Sequence, residues 1–487
     1  MSITPDFSTF KKEYEAGRNQ VVFSKLTSDL DTPVSIMLKL AGAKKNSFIL
    51  ESVTGGETRG RYSIIGMEPD LIWKCEGDRS FVSPGNNEFK PVEGKPLNIF
   101  RDLLKQSAIN LPEDLPQASA GLFGYFGYDM VRHVEDLPNV NPDKIGLPDA
   151  IFIRPSIIAV LDGVKGEVIL VSPVFFNKNT SSNQAFEKAL KKIEDAIYEL
   201  RKQIVTNRNL GKSGEIEEPS SNFTKEEYKS AVKKAKAYIN QGDIFQVVPS
   251  QRWTQKFPYS PFSLYRSLRR TNPSPFMFFF NFKDFQIIGA SPEILVRLRD
   301  NKITVRPIAG TRPRGKTKKE DLFYERDLLK DKKELSEHLM LLDLGRNDAG
   351  KVSKINSVKV TESFIIERYS HVMHIVSNVV GEYNKKFSKF KSLLAGFPAG
   401  TVSGAPKIRA MEIIDELETS KRKVYAGGIG YFSANGEFDT CIALRTAVAK
   451  NKKFYVQAGA GIVADSKPKN EYEETVNKAK ALINALR

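Results

Sequence analysis

The chain has 487 residues, 40% of them hydrophobic and 27% charged, with 74 Lys and Arg against 58 Asp and Glu and a formal net charge of +16. This composition belongs to a globular protein with room for two domains or one large composite body, and no run is long and apolar enough to span a membrane. Two cysteines and four histidines exclude a disulfide framework and a Cys/His zinc cluster, and the basic residues are dispersed among acids, so the charge reads as a solvated surface that favours an anionic substrate, with no nucleic acid expected.

The N-terminus, Met1-Ser2-Ile3-Thr4-Pro5-Asp6, lacks the basic start and apolar stretch of a signal peptide, and a cytoplasmic location is expected. The first 205 residues read as one region of mixed α/β with many short strands. Strands are expected at 21–26, 47–52, 61–66 and 71–75, with a tight turn at Gly55-Gly56. Glycines alternate with aromatics over 121–128, where backbones approach closely. Two apolar runs fill 151–174, and a helix with Phe186, Ala189, Ile193, Ile197 and Leu200 on one face spans 185–201. Residues 206–221 are polar and Gly/Ser/Pro-containing, the expected linker to a second region, 222–487.

That second region opens on a capping box, Thr224-Lys225-Glu226-Glu227, and a helix ending near Gly242. A strand at 244–248, a helix from Ser260-Pro261, and hairpins 276–289 and 294–305 follow, the second turning at Asp300-Asn301. After a loop, residues 333–342 read as a buried helix and 364–380 as strand carrying His371 and His374. Gly400 to Pro406 leads into an amphipathic helix. A meander from 424 to 463, turning at Asn435-Gly436, precedes a last helix after Asp465, with Asn470 as its cap.

Gly310 to Thr317 matches the phosphate-loop pattern G-x-x-x-x-G-K-[ST]. A nucleotide site also needs a helix opening at the Lys. Pro313 stiffens the loop and removes a donor, and 318–321 starts no apolar stripe, so a P-loop nucleotide-binding protein is the remote alternative. The loop is either a solvated basic turn or a carboxylate site built on Gly310 and Thr311.

Glu337 and Glu474 sit on two expected helices. Each is either a surface charge or, with substrate oxygens and water, a ligand for Mg²⁺, which rarely takes an all-protein cage. Glu293 follows the turn Gly289-Ala290-Ser291-Pro292. It is either a turn carboxylate or a semi-buried acid with raised pKa. His374 is either a core histidine or a functional one. Arg445, isolated in an apolar strand, needs an anionic partner. Gln457-Ala458-Gly459-Ala460-Gly461 offers backbone without bulk. Together these describe a pocket for a small carboxylic acid with a metal.

Several blocks then carry a resemblance: Gly289 to Glu293, Pro307 to Gly315, Glu337-His338-Leu339-Met340-Leu341, Arg346-Asn347-Asp348, Ser403 to Lys407 and Gln457 to Gly461. Through them the chain resembles the synthase components of the anthranilate synthases, within the chorismate-utilising enzymes. The resemblance implies an α+β fold, a two-sheet antiparallel α/β sandwich flanked by helices with the N-terminal segment woven in. It implies conversion of chorismate and ammonia to anthranilate and pyruvate, the step that commits chorismate to tryptophan. Mg²⁺ ligands fall on Glu337 and Glu474. Substrate contacts fall on Gly310, Thr311, Thr401, Tyr425, Arg445, Gly459, Ala460, Gly461 and Lys478. The general acid falls on Glu293, and His374 falls on the pyruvate-eliminating step.

A tryptophan-feedback site falls on Glu51, Ser52, Pro273, Ser274 and Pro275. Ammonia is expected from a separate glutamine amidotransferase subunit, since neither Cys75 nor Cys441 lies in a nucleophile turn. Isochorismate and aminodeoxychorismate synthases share the pocket and are the nearer alternatives. Their catalytic lysines match Gln246 and Ala309 here. Gln246 cannot activate water and Ala309 offers no nucleophile, so ammonia addition is expected.

Overall fold

The computed structural model describes residues 2–42, 44–54, 58–85, 87–204, 218–257, 259–369 and 372–485. Strand alternation builds its body. Along the strand Ala150–Asp162, Ile151, Ile153, Ile158 and Val160 face one apolar core. Phe152 faces a second core on the opposite side, and further along Ile157, Ala159 and Leu161 face a third. The strand Thr58–Glu76 behaves alike: Ile64 and Ile72 point inward, Ile65 and Met67 to one outer side, Trp73 to the other. Its pairing with Ala150–Asp162 slips between Pro69 and Leu71, where the sheet bends. The inner core therefore lies between two sheet layers, and each outer core lies under helices.

Twenty-one strands of the described residues join into one hydrogen-bonded network, with every pairing antiparallel. Met277–Asn281 pairs with Ser47–Glu51, and Gly428–Ser433 pairs with Gly121–Phe126, so strands from before and after residue 221 share one sheet. Helices Phe7–Glu15, Pro33–Leu40, Ser182–Arg201 and Pro261–Thr271 cover one outer face. Pro96–Gln106 and Lys332–Gly350 cover the other. There Phe100 packs its ring 4.7 to 5.0 Å from Phe152, Trp73 and Phe126, and truncating it to Ala costs about 3–5 kcal/mol. No described helix is long and apolar enough to cross a membrane.

Several elements differ from expectation. The two strands at 61–66 and 71–75 are one, Thr58–Glu76. The strand at 244–248 shrinks to Gln246–Val247, paired with Gly404–Ala405, with Val247 also bridging Ile462. Residues 364–380 divide into Lys359–Arg368 and Val372–Glu382, which pair with each other. The last helix opens at Pro468, two residues before Asn470. Gly55-Gly56, His371 and residues 206–217 of the expected linker lie outside the described residues, while Ser220–Ser221 pairs with Trp253 and Thr254.

The stretch 306–317 also carries more structure than a loop. Ile308–Pro313 is a strand against Val372–Glu382, irregular between Ala309 and Arg312. A helix, Lys318–Leu328, does begin after it, capped by Thr317. Its charged face hid it, because only Asp321 and Leu328 are buried. The phosphate-loop reading fails on different ground. The Gly315 N–H donates to Asp321 and the Lys316 N–H to Glu320, so carboxylates fill the place of a phosphate.

Candidate active site

The turn between strands Gln286–Ser291 and Ile294–Arg299 carries Glu293 into the interior. Its backbone is fixed on both sides: its N–H donates to Ser291 Oγ at 3.3 Å, and its carbonyl accepts from Ile442 N–H at 3.0 Å. The side chain is buried, and burial raises its pKa to about 8; Thr401 and Lys478 pull the other way without offsetting it. A carboxyl in that state holds a proton at neutral pH and can release it to a leaving oxygen.

His374, on Val372–Glu382, stands beside Gly310 and Thr311. Its Nδ1 lies 2.8 Å from the Gly310 carbonyl and 3.2 Å from Thr311 Oγ1. A carbonyl only accepts, so Nδ1 carries the hydrogen and Nε2 the lone pair. Burial pulls its pKa down to about 4, which keeps the ring neutral. Gly310 holds φ +67°, where a Cβ would also press on Leu328 at 3.0 Å and Glu334 at 3.2 Å.

Arg445 takes the positive charge to the pocket. Desolvation lowers its pKa, and among the described residues its guanidinium makes no hydrogen bond or ion pair, with Tyr369 and His374 nearby. A half-buried guanidinium without a carboxylate partner suits a bound anion. The arginines of the Gly310–Gly315 segment are already consumed: Arg312 binds Asp327 and Asp331, and Arg314 binds Asp321.

Carboxylates gather opposite. Glu337 projects from Lys332–Gly350 and accepts from Gln246 Nε2 at 3.0 Å. Burial raises its pKa, and the charges of Glu334 and Glu474 raise it further. Glu334 is likewise raised, by burial first. Glu474, on Pro468–Ala485, pairs with Lys478 at 2.8 Å, and Lys478 Nζ reaches the Gly459 carbonyl at 3.0 Å. Gly461 closes this side: a Cβ there would lie 2.7 Å from Gln246 Nε2 and 3.6 Å from Glu337 Oε1.

Among the described residues no three acidic, His or Cys side chains converge as a complete metal site. Mutually repelling carboxylates around a glycine cradle do fit a divalent cation that takes its remaining oxygens from substrate and water.

Thus Gln246, Glu293, Gly310, Thr311, Glu337, His374, Thr401, Tyr425, Arg445, Gly459, Gly461, Glu474 and Lys478 form one linked constellation. Tyr425 joins through Gly459, where a Cβ would sit 3.0 Å from its hydroxyl; burial raises its pKa to about 12. Ala460 is fully buried, and its N–H donates to the Pro249 carbonyl at 3.3 Å, so it contributes shape rather than a free donor. Thr401 Oγ1 and Gln246 Oε1 are buried without a well-formed hydrogen bond among the described residues, polar atoms left for a ligand.

Sequence reasoning missed Glu334, one turn before Glu337, and Glu471, one turn before Glu474; burial raises the pKa of both. The signal was E-x-x-E on both helices.

The expected effector residues lie elsewhere. A cleft of about 840 Å³ is lined by Glu51, Ser52, Pro275, Met277, Pro292, Ile294 and Tyr369, among others. Pro273 and Ser274 are not in its wall; Ser274 is buried behind it. The Glu51 carboxylate is already bound by Arg269 at 2.8 and 2.9 Å and by the Tyr265 hydroxyl.

A model of the chorismate binding enzymes matches residues 45–484. The chain is 61% identical over 483 residues to anthranilate synthase component 1 of Cereibacter sphaeroides, covering 98% of this chain and 97% of that one. It is 48% identical over 480 residues to the component 1 of Pseudomonas aeruginosa, covering 96% of each. The crystal structure of anthranilate synthase component I from Streptococcus pneumoniae superposes with a TM-score of 0.78 at 38% identity, over 88% of this chain and 92% of that one. MenF, the menaquinone-specific isochorismate synthase from Escherichia coli, shares the fold at 17% identity, with a TM-score of 0.72 over 99% and 100% of the two chains. By its sequence over nearly the whole length, and by its fold, the chain belongs to the chorismate binding enzyme family.

Proposed function

We propose that the chain converts chorismate and ammonia to anthranilate and pyruvate. The observation that carries this reading is a buried carboxyl held protonated, Glu293, in the same pocket as the unpaired guanidinium of Arg445. Arg445 and Lys478 bind the substrate's carboxylates. The ammonia lone pair forms the new C–N bond on the ring, the ring double bonds shift, the hydroxyl departs as water with the Glu293 proton, and the new ammonium nitrogen sheds a proton that restores the Glu293 acid. A ring proton then leaves, the ether C–O bond to the enolpyruvyl group breaks, and the ring becomes aromatic. Neutral His374, with its Nε2 lone pair, serves this second stage by accepting and returning that proton.

Glu337 and Glu474 would hold Mg²⁺, whose charge offsets the electron density gathered on the ring carboxylate. Position 246 supports ammonia over water as nucleophile: Gln246 is committed to Glu337 and has no basic nitrogen. Position 309 is a buried alanine, without a nucleophile.

Nitrogen from glutamine needs a second chain. Cys75 Sγ lies 3.9 Å from His133 Nε2, and His133 lies 3.9 Å from Asp78, a nucleophile-like order. Yet both Cys75 and Cys441 are buried, and burial raises both thiols, suppressing the thiolate that attacks an amide. A glutamine amidotransferase subunit is therefore the expected partner.

Tryptophan is the expected inhibitor at the 840 Å³ cleft. Pro292 and Ile294 line it while Glu293 between them faces the pocket, and Tyr369 lines it while its ring lies 5.6 Å from that of His374. The two sites share a wall, so an occupant of the cleft acts on Glu293 and His374 directly. Purified chain, chorismate, Mg²⁺ and ammonium should give rising blue anthranilate fluorescence. Absence of turnover with all three present would count against the reading.

A further inference from the structure

Behind the pocket lies a buried ion pair that touches neither the expected substrate nor the expected metal. Arg422 and Glu418 are 2% and 6% exposed. Arg422 Nε donates to both Glu418 oxygens at 3.0 Å, and Nη2 donates to Oε1 at 2.6 Å. Two more donors reach backbone: Nη1 to the Val402 carbonyl at 2.7 Å, and Nη2 to the Val248 carbonyl at 2.6 Å. The guanidinium lies over the rings of Tyr128 and Tyr425, 4.7 and 5.5 Å from their centres. Glu418 Oε1 also accepts from the Ser250 N–H at 2.8 Å and hydroxyl at 2.7 Å, and Ser250 Oγ accepts from Gln457 Nε2 at 2.8 Å.

Each contact lands next to a wall of the pocket. Val402 follows Thr401, Val248 is two residues past Gln246, Gln457 is two before Gly459, and Tyr425 is itself a wall. Regular pairing between these segments is short: Val247 bridges Ile462, and the Val248 N–H donates to the Ser403 carbonyl at 3.0 Å. Gln246–Val247 and Gly404–Ala405 form a ladder of two residues, and Gly400–Ser403 is a single turn. A planar five-donor guanidinium can bind a carboxylate and two carbonyls at once, which neither a lysine nor an apolar side chain can do.

We propose that Glu418 and Arg422 are positioning residues of the reaction, setting the spacing between Thr401, Gln246, Tyr425 and the Gly459–Gly461 backbone, and so the geometry around Glu293 and Glu337. The inference rests on the roles given above to those two acids. Removing the clamp moves Thr401, whose hydroxyl pulls the Glu293 pKa down, and lets Gln246 withdraw from Glu337. A purely structural pair would lower stability and leave the pH profile and metal requirement of the folded fraction unchanged.

Two variants test this. A buried pair replaced whole by apolar residues of similar size is tolerated far better than one broken by half, so the first is the double variant Glu418→Leu/Arg422→Met. The second, Arg422→Lys, keeps the charge and loses the fork. Circular dichroism and gel filtration report the fold. Steady-state kinetics with chorismate, ammonium and Mg²⁺ report function. Folded variants should lose kcat on the order of 10²-fold, the cost of a misplacement near 1 Å, with the lysine variant falling between.

Displacing Thr401, which lowers the Glu293 pKa, should move the alkaline limb of kcat to higher pH, and half-activation should need more Mg²⁺. A folded variant with wild-type limb and wild-type Mg²⁺ requirement overturns the proposal. Failure of both variants to fold also overturns it, by making the pair a stability element. A wild-type enzyme lacking both the limb and the Mg²⁺ requirement would instead fault the roles of Glu293 and Glu337.

Discussion

Replacing Glu293 with Gln keeps the size and hydrogen-bonding shape of the side chain and removes its proton. Burial lifts this carboxyl from 4.5 to about 8, so the folded chain holds a proton that the unfolded chain has already lost. The sign follows from that order. Stability from this group is complete below about pH 4.5 and declines as pH rises, until the loss is complete above about 8. At 1.36 kcal/mol per unit the full loss is on the order of 3 to 5 kcal/mol.

Glu293→Gln carries no such loss. Urea unfolding at pH 8.5 should find it more stable than wild type by a few kcal/mol, and the gap should close near pH 5. Activity should move the opposite way: kcat should fall roughly 10²- to 10⁴-fold, and the alkaline limb near pH 8 should vanish from what remains. A variant of unchanged stability at pH 8.5, or one that retains the limb, would refute the assignment of a proton-holding acid.

Glu337→Gln or Glu474→Gln should leave the far-UV spectrum intact, raise the Mg²⁺ needed for half-maximal rate by at least about tenfold and cripple turnover; wild-type Mg²⁺ dependence in both would remove them as ligands. The isolated chain should use ammonium and not glutamine, and should gain glutamine-dependent activity only with an amidotransferase subunit; glutamine turnover by the chain alone contradicts the partner argument. Tryptophan should inhibit, and should raise the thermal midpoint by binding the folded state; a Ser52 substitution that leaves inhibition unchanged argues against the cleft.

Much of the site was legible in side-chain chemistry. Glu293 stood out as an acid after a tight turn, and Arg445 as a lone charge in an apolar strand. Ile294 beside Glu293 is buried, but Arg445 lies outside any strand, at φ +45° in the bend between Phe438–Ile442 and Thr446–Lys450. Local turn chemistry also read well: Asp300 and Asn301 take positive φ at their hairpin, Gly436 does so at another, and Thr224 makes the expected capping box.

What escaped was structure held by distant partners. Lys318–Leu328 has no apolar stripe because it is fastened by ion pairs, such as Arg314–Asp321 and Arg368–Glu325. Its cap, Thr317 accepting from the Glu320 N–H, was written as T-x-x-E and overlooked beside the phosphate-loop pattern. The shortness of Gln246–Val247 had no local signal, since the strand it pairs with is about 160 residues away. The Arg422–Glu418 clamp was equally silent, because its meaning lies in which carbonyls it reaches.

Product analysis separates the three reactions that this pocket could run. Purified chain should be incubated with chorismate, Mg²⁺ and ammonium, and the products separated and quantified. Anthranilate and pyruvate are expected in equal amounts, matching the chorismate consumed. Isochorismate or 4-amino-4-deoxychorismate as the main product, or pyruvate without anthranilate, would contradict it.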